Sequence, residues 1–365
     1  MSTGREILLT GSVPLRPAAN VFETVSAHLG TLAPRIPDGE QIGWSGAARR
    51  TFERHPMLEE SKRVPLNAHG ADPVPIFRLK LGFTVRDLKL GPYGYFENAM
   101  NSYREFKRLR DEGKIAPGIR YQCTLPGPGT SAFSIELPGD EILPLSRVAL
   151  GEELDRIVAA IPADDLSVQI DVGMEAEHEE YLRRPDAFDQ PLHKVFHWTL
   201  DQMADSVAWL ANRVPASVEL GFHICSIWHH DPEAGQDNTV LVDAANAITR
   251  RLTRGVSYLH LPVIPDHVDA DYAKFKQLER GSKTKLYIGL LNFGDGLEGA
   301  KRRIAIAEKF VSDFGIGSFC GLGRPASPDT SGPTAHSHPP IPALRRATAE
   351  TIGEYLDIHR AAALL

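Results

Sequence analysis

His223, Cys225 and Cys320 are the residues of this chain whose types could share a metal ion. Two thiolates and an imidazole suit zinc, which takes sulfur and nitrogen ligands tetrahedrally and, in catalytic sites, keeps one position for solvent or substrate. Along 218–225 the side chains alternate as on a strand: Leu220, Phe222 and Ile224 share one face, and Gly221, His223 and Cys225 the other. An imidazole and a thiol thus point the same way at a strand end. Cys320 holds the equivalent place on a strand read over 317–322. In a closed barrel, strand ends distant in sequence meet at one mouth. His260 closes the apolar start of the strand over 256–263 and is the natural fourth ligand, with a hydrogen-bonded wall histidine as the competing reading. His229 and His230 follow Cys225 as loop residues within reach.

Other chemistry-bearing residues are less pointed. Trp228, Tyr258 and Phe293 fall near the expected mouth, where they would favour a flat ligand or simply form barrel wall. Glu175 and Glu177, with His178, Glu179 and Glu180, read as a solvated helix start, since acidic residues are stabilised near helix N-termini, or else as a lining of the cleft. Gly281, Gly289, Gly294 and Gly296 make no phosphate-binding fingerprint at a strand-to-helix turn, so a dinucleotide site is rejected.

Strands alternating with helices must position these residues. The apolar run 6–9 ends at a turn and reads as the first strand; 18–32 reads as a helix. Phe96, Met100, Tyr103 and Leu109 recur at helical spacing before Gly113, and an extended run follows over 119–125. The pattern repeats, with helices over 150–161, 199–214, 240–254, 270–280, 299–314 and 344–359, and strands over 166–172, 218–225, 256–263, 285–293 and 317–322. Such alternation implies parallel βαβ units, and the count approaches eight. The predicted fold is α/β, a (β/α)8 TIM barrel in one domain over 1–365, with an insertion after the first βα unit. That insertion, about 33–95, would lay a hairpin over the mouth, its strands sought in 75–88. A Pro- and Ser-rich loop over 325–342 would serve as lid or connector.

Length and composition allow this: 365 residues suit one barrel with insertions. Forty Lys and Arg against forty-seven Asp and Glu leave a net charge of −7 and no dense basic stripe, which argues against nucleic acid as a partner. No apolar run is long enough to span a bilayer and no signal peptide is read at the N-terminus, so neither a membrane nor export is expected and the cytoplasm is the predicted compartment. Three cysteines are too few and too scattered for a disulfide framework. The expected partner is a small-molecule substrate, with a homodimer compatible with the sequence.

Five short motifs, in order, resemble the catalytic domain of cobalamin-independent methionine synthase, in the superfamily that also holds uroporphyrinogen decarboxylase. They are Leu9-Thr10-Gly11-Ser12-Val13-Pro14, Leu125-Pro126-Gly127-Pro128-Gly129-Thr130, Val168-Gln169-Ile170-Asp171, His223-Ile224-Cys225 and Cys320-Gly321-Leu322. The resemblance implies zinc held by His223, Cys225 and Cys320, which binds a substrate thiol and lowers its pKa so that a thiolate attacks an activated alkyl carbon. It implies that Gly11 and Ser12 hold the carboxylate end of an amino-acid-like thiol and that Asp171 anchors an amine or a pterin ring. The chain departs from the family in three places. Asp171-Val172-Gly173 stands where the family has Asp-Glu-Pro, His260 falls where it has a glutamate ligand, and Asn292-Phe293-Gly294-Asp295 replaces a segment carrying a general-acid histidine. Asn292 is then a substrate-binding candidate.

The favoured expectation is a zinc-dependent enzyme, most simply an alkyl or methyl transferase acting through a zinc-activated thiol. A zinc Lewis-acid lyase or hydrolase is the alternative. A metal-free ligand-binding or decarboxylase-like barrel, with Asp171 as its key carboxylate, is the third.

Overall fold

A computed structural model of the chain describes residues 4–43, 46–64, 73–187, 198–226, 238–263, 269–323 and 347–365. In order come β1 (Ile7–Leu8), α1 (Ala18–Leu29), β2 (Arg35–Pro37), α2 (Gly46–Glu53), β3 (Leu58–Val64), β4 (Val74–Leu79), α3 (Tyr95–Asp111), β5 (Arg120–Pro126), α4 (Pro128–Ala132) and α5 (Gly139–Ala160). There follow β6 (Leu166–Val172), α6 (Met174–Arg183), α7 (Leu200–Ala211), β7 (Glu219–Ile224), α8 (Asn238–Thr249) and β8 (Tyr258–Pro262). The chain then forms α9 (Asp269–Ala273), β9 (Lys285–Leu291), α10 (Gly296–Ala307), β10 (Phe314–Ser318) and α11 (Ile352–Ala363).

Eight parallel strands lie in the order β1-β10-β9-β8-β7-β6-β5-β2, and a parallel bridge between Ser12 and Gly39 joins the chain just past β1 to that past β2. The result is a nearly closed (β/α)8 TIM barrel, as the alternation predicts. Every residue of β6 is buried, because both faces are covered. Leu166, Val168, Ile170 and Val172 alternate with Ser167, Gln169 and Asp171, and the latter set turns into the barrel, where Gln122 Nε2 donates to Gln169 Oε1 at 3.2 Å. Bulk inside one strand is matched by its absence in the next. A Cβ on Gly221 would fall 2.1 Å from the ring of Tyr258, so only glycine lets that ring cross the interior.

The sequence reading departs from the structure at several edges. Arg35–Pro37, set aside with the insertion at 33–95, is a barrel strand paired with β5; Pro34 and Pro37 hide so short a strand. The inserted hairpin is β3 with β4, antiparallel, and so begins earlier than 75–88. It docks on the loop after α4, where Phe77 N donates to Ser134 O at 2.7 Å, and α2 packs against α4. Phe314, read as a helix end, begins β10, which stops at Ser318, so Cys320 lies two residues past its strand. The expected loop at 325–342 lies outside the described residues.

Among the helices, α7 opens on a capping box: Gln202 N donates to Thr199 Oγ1 at 3.2 Å and Thr199 N to Gln202 Oε1 at 2.9 Å. Such a cap contributes about 1 kcal/mol. No helix among the described residues is long and apolar enough to cross a membrane.

Candidate metal centre

β7 ends on a strand pattern that carries His223 inward, and its ladder extends one residue further, Cys225 N donating to Val172 O at 3.2 Å. Cys320 arrives from the other side of the mouth. The register between β10 and β9 slips between Gly317 and Ser318, an irregularity that re-aims the chain as bulges do. Leu322 N then donates to Ser12 O at 2.9 Å, and Gly321 lies so near Ser12 that a Cβ there would fall 1.7 Å from the hydroxyl. The Cys320 loop is thereby fixed against the end of β1.

The outcome is that one potential ligand atom each from His223, Cys225 and Cys320 lie within 4.8 Å of one another. Zinc at its usual bond lengths separates tetrahedral donors by roughly 3.5–4 Å, so small movements would close the set around one ion. Two further observations fit a cation. His223 Nε2 is buried with no hydrogen-bond partner. The Cys225 thiol is pushed well above its ordinary pKa by its hydrogen bond with Cys320, by burial, and by the negative charge of Cys320, Asp171 and Glu177. Such a gathering of donors disfavours its own thiolate until a cation offsets the repulsion.

His260, expected as a fourth ligand, lies outside that group of three and stands behind His223. Its Cα pairs with that of His223 across β7 and β8, and the two Nδ1 atoms are 2.8 Å apart, with ring centroids at 4.8 Å. It is fully buried against Gly317, where a Cβ would come within 3.1 Å of its Nε2. Burial first, then the neighbouring His223, holds its pKa well below the usual histidine range, with Cys320 and the Ser318 main chain acting the other way. His260 is a neutral imidazole here.

Asp171 is 4% exposed, next to His223 in the sheet register. Gln169 Nε2 holds it, donating at 2.8 Å to Asp171 Oδ1 and at 2.5 Å to Thr10 O. Gly11 adopts φ +147°, and a Cβ there would meet Glu40 Oε1 at 2.6 Å, so Gly11 and Ser12 line the edge where β1 meets both Cys320 and the segment after β2. Asn292, just past β9, is buried; its Oδ1 accepts from Gly294 N at 3.0 Å and its Nδ2 has no partner. Trp228, His229 and His230 lie outside the described residues.

Of the two aromatic candidates among the described residues, Tyr258 leaves the mouth and Phe293 takes the wall reading. Tyr258 opens β8 and so sits at the barrel's opposite end, beneath Arg35, whose guanidinium carbon is 4.3 Å from its ring centroid. Phe293 packs on Tyr355 at 5.0 Å. The acidic stretch of α6 is not a solvated helix start either: Glu175, Glu177, His178 and Glu180 are all buried. Glu175 accepts from Thr130 N at 3.0 Å and from Thr130 Oγ1, and Glu180 accepts from Ser226 Oγ and Arg184. Burial raises the Glu175 pKa against the lowering effect of those Thr130 bonds. Glu177 bears electrostatically on Cys225, which favours the cleft-lining reading of that stretch. Its place six residues after Asp171, just past the end of β6, is the sequence signal for that reading.

No protein-family model matches the chain, and no curated protein matches it. Among solved structures it is similar to a protein from Listeria monocytogenes provisionally named a vitamin-B12 independent methionine synthase, at 12% identity and TM-score 0.53, over 97% of this chain and 96% of that one. At that identity the likeness shows the fold. The HMG-CoA lyase from Brucella melitensis is similar at 11% identity over 71% of this chain and 77% of its own, with a TM-score of 0.33, too low to carry weight.

Proposed function

We propose that the chain is a zinc-dependent enzyme acting on a small molecule, with alkyl or methyl transfer to or from a thiol as its reaction. One observation carries the reading: the convergence of His223, Cys225 and Cys320 at the C-terminal mouth of a barrel, the end where enzymes of this fold place their chemistry. Bound zinc would lower the pKa of a substrate thiol so that its thiolate is available at neutral pH. The chain's residues do the rest. His223, Cys225 and Cys320 would hold the ion and leave a position open. Asp171, held through Oδ1 by Gln169, would orient a cationic or N–H group of the substrate. Ser12 and Gly11, against the Cys320 loop, would set where a substrate's polar end rests, with Asn292 supplying an amide from the neighbouring strand.

The likeness in fold to the Listeria protein supports this reading, and so do the five motifs. The departures shape it: Asn292-Phe293-Gly294-Asp295 brings no histidine to protonate a departing nitrogen, so a donor whose leaving group needs no general acid suits the site better than a folate. The set of one neutral and two anionic ligands also favours a second reading, in which zinc polarises a substrate oxygen in a lyase or hydrolase step. Cobalt-substituted protein distinguishes them. Perturbation of its visible spectrum by small thiols such as homocysteine, with turnover that requires the thiol, supports alkyl transfer. An unmoved spectrum and turnover without thiol would refute it in favour of the second.

A further inference from the structure

His260 raises a question that the three converging ligands leave open: what a second, fully buried imidazole does beside the first. Its nearest polar partner is the ring of His223, Nδ1 to Nδ1 at 2.8 Å. Two nitrogens at that distance share one proton, so one ring donates and the other accepts. A neutral histidine that gives an Nε2 lone pair to a metal must keep its proton on Nδ1. Both Nδ1 atoms are engaged and both Nε2 atoms are buried without a partner, but only His223 stands with Cys225 and Cys320, so its Nε2 is the one offered to an ion. The donor is then His223, the acceptor is His260 Nδ1, and the His260 proton sits on Nε2, beside Gly317.

We propose that His260 is a positioning residue for the metal ligand His223: its Nδ1 accepts the His223 Nδ1–H, fixing the tautomer and ring orientation that leave His223 Nε2 bare for the ion. The inference rests on the proposed metal site. It assigns His260 a role distinct from coordination. Three features of the fold support it. The register of β7 and β8 sets the two Cα atoms side by side. The glycine at 317 leaves room for the His260 ring, since a Cβ would press on it at 3.1 and 3.4 Å. The rings are tilted by 56° rather than stacked, which lets the two Nδ1 atoms face each other. Carboxylates and main-chain carbonyls commonly accept this bond in metal sites. A neutral imidazole orients the ligand equally while adding no negative charge, so the metal stays more electrophilic.

The test begins with the full-length protein loaded with zinc and labelled with ¹⁵N-histidine. Proton–nitrogen correlation spectra should show His223 protonated on Nδ1 with a metal-shifted Nε2, and His260 protonated on Nε2 with no metal-shifted nitrogen. His260→Leu removes the acceptor and should weaken zinc about 10- to 100-fold in competition with a chromophoric chelator. His260→Asn, whose Oδ1 stands close to where Nδ1 stood, should recover most of that affinity. A metal-shifted His260 nitrogen would overturn the proposal, as would unchanged affinity in His260→Leu. Should the leucine variant fail to fold, the wild-type spectrum alone decides. Wild-type protein that takes up no zinc overturns the metal site and this role together, an outcome distinct from a zinc-replete protein indifferent to His260.

Discussion

The two ends of the barrel both bury polar and charged groups, but they differ in how those groups are satisfied. At the N-terminal end, Arg35 Nε donates to Glu219 Oε2 at 3.1 Å and its Nη1 to Tyr287 OH at 2.9 Å, while that hydroxyl donates to Glu6. The guanidinium also lies over Tyr258, which packs with Leu8 and Tyr287. Each group there finds its partner within the chain. At the C-terminal end, His223 Nε2 and Asn292 Nδ2 are buried without partners, and the Cys225 thiol is held protonated by its neighbours. Burying polar atoms unsatisfied costs about 1–3 kcal/mol each. One end is therefore complete as a plug, and the other is the end to which we assign the metal.

That contrast can be broken in four ways. The largest effect is expected at the plug: Arg35→Met takes the buried guanidinium away from Glu219 and Tyr287 and should cost about 3–5 kcal/mol in denaturant unfolding, with zinc stoichiometry unchanged in the folded fraction. Stability that follows zinc instead would erase the distinction between the ends. At the mouth, zinc at about a thousandfold over its Kd should stabilise by about 4 kcal/mol, a gain abolished by chelation and absent in Cys225→Ser. A Cys225→Ser protein stabilised as strongly as wild type would place the ion elsewhere.

A buried histidine outside both ends sharpens the contrast. His359, on α11, donates from Nδ1 to Tyr355 O at 2.7 Å, and burial pushes its pKa down to about 4, with the Tyr355 carbonyl opposing. An unfolded histidine titrates near 6.5, so between about 6.5 and 4 the unfolded chain holds a proton that the folded one refuses. Its contribution is complete above pH 6.5 and falls as pH drops to 4, by about 3 kcal/mol in all. His359→Leu should flatten that slope whether or not zinc is present; a slope unchanged in the variant would assign it to other groups. The smallest effect concerns the Cys320 approach. A Cβ on Gly289 would meet Pro262 Cα at 2.8 Å, Ser318 O at 2.8 Å and Phe319 Cα at 2.9 Å, all main chain. Gly289→Ala should cost about 1–3 kcal/mol and weaken zinc binding by displacing the segment before Cys320. Full zinc affinity in that variant would show that the segment tolerates the shift.

Periodicity carried much of the barrel. The strand read over 166–172 is β6 residue for residue, and alternation along 218–225 put His223 and Cys225 on one face, which the structure brings to Cys320. What pattern could not carry lay in short or doubly buried segments. Arg35–Pro37 is a three-residue strand preceded by one proline and ended by another, too short for any period. The start of β10 reads as the tail of a helix because Phe314 continues the apolar spacing of α10, while Gly315 looks like a breaker when it is a site of close packing. The acids of α6 read as a solvated helix start or as cleft lining because nothing in one dimension reveals that Thr130, forty-five residues earlier than Glu175, supplies two hydrogen bonds to it. The pairing of His260 with His223 likewise depends on register. Sequence could offer the second imidazole as a ligand or as wall, and the geometry makes it a hydrogen-bond partner of His223.

The most direct test of the central claim is elemental analysis by plasma mass spectrometry, run on wild-type protein and on Cys225→Ser after zinc reconstitution and removal of loosely held metal. The account predicts about one zinc per wild-type chain and its loss from the variant. Zinc absent from both, or retained equally by both, would contradict a metal centre at His223, Cys225 and Cys320.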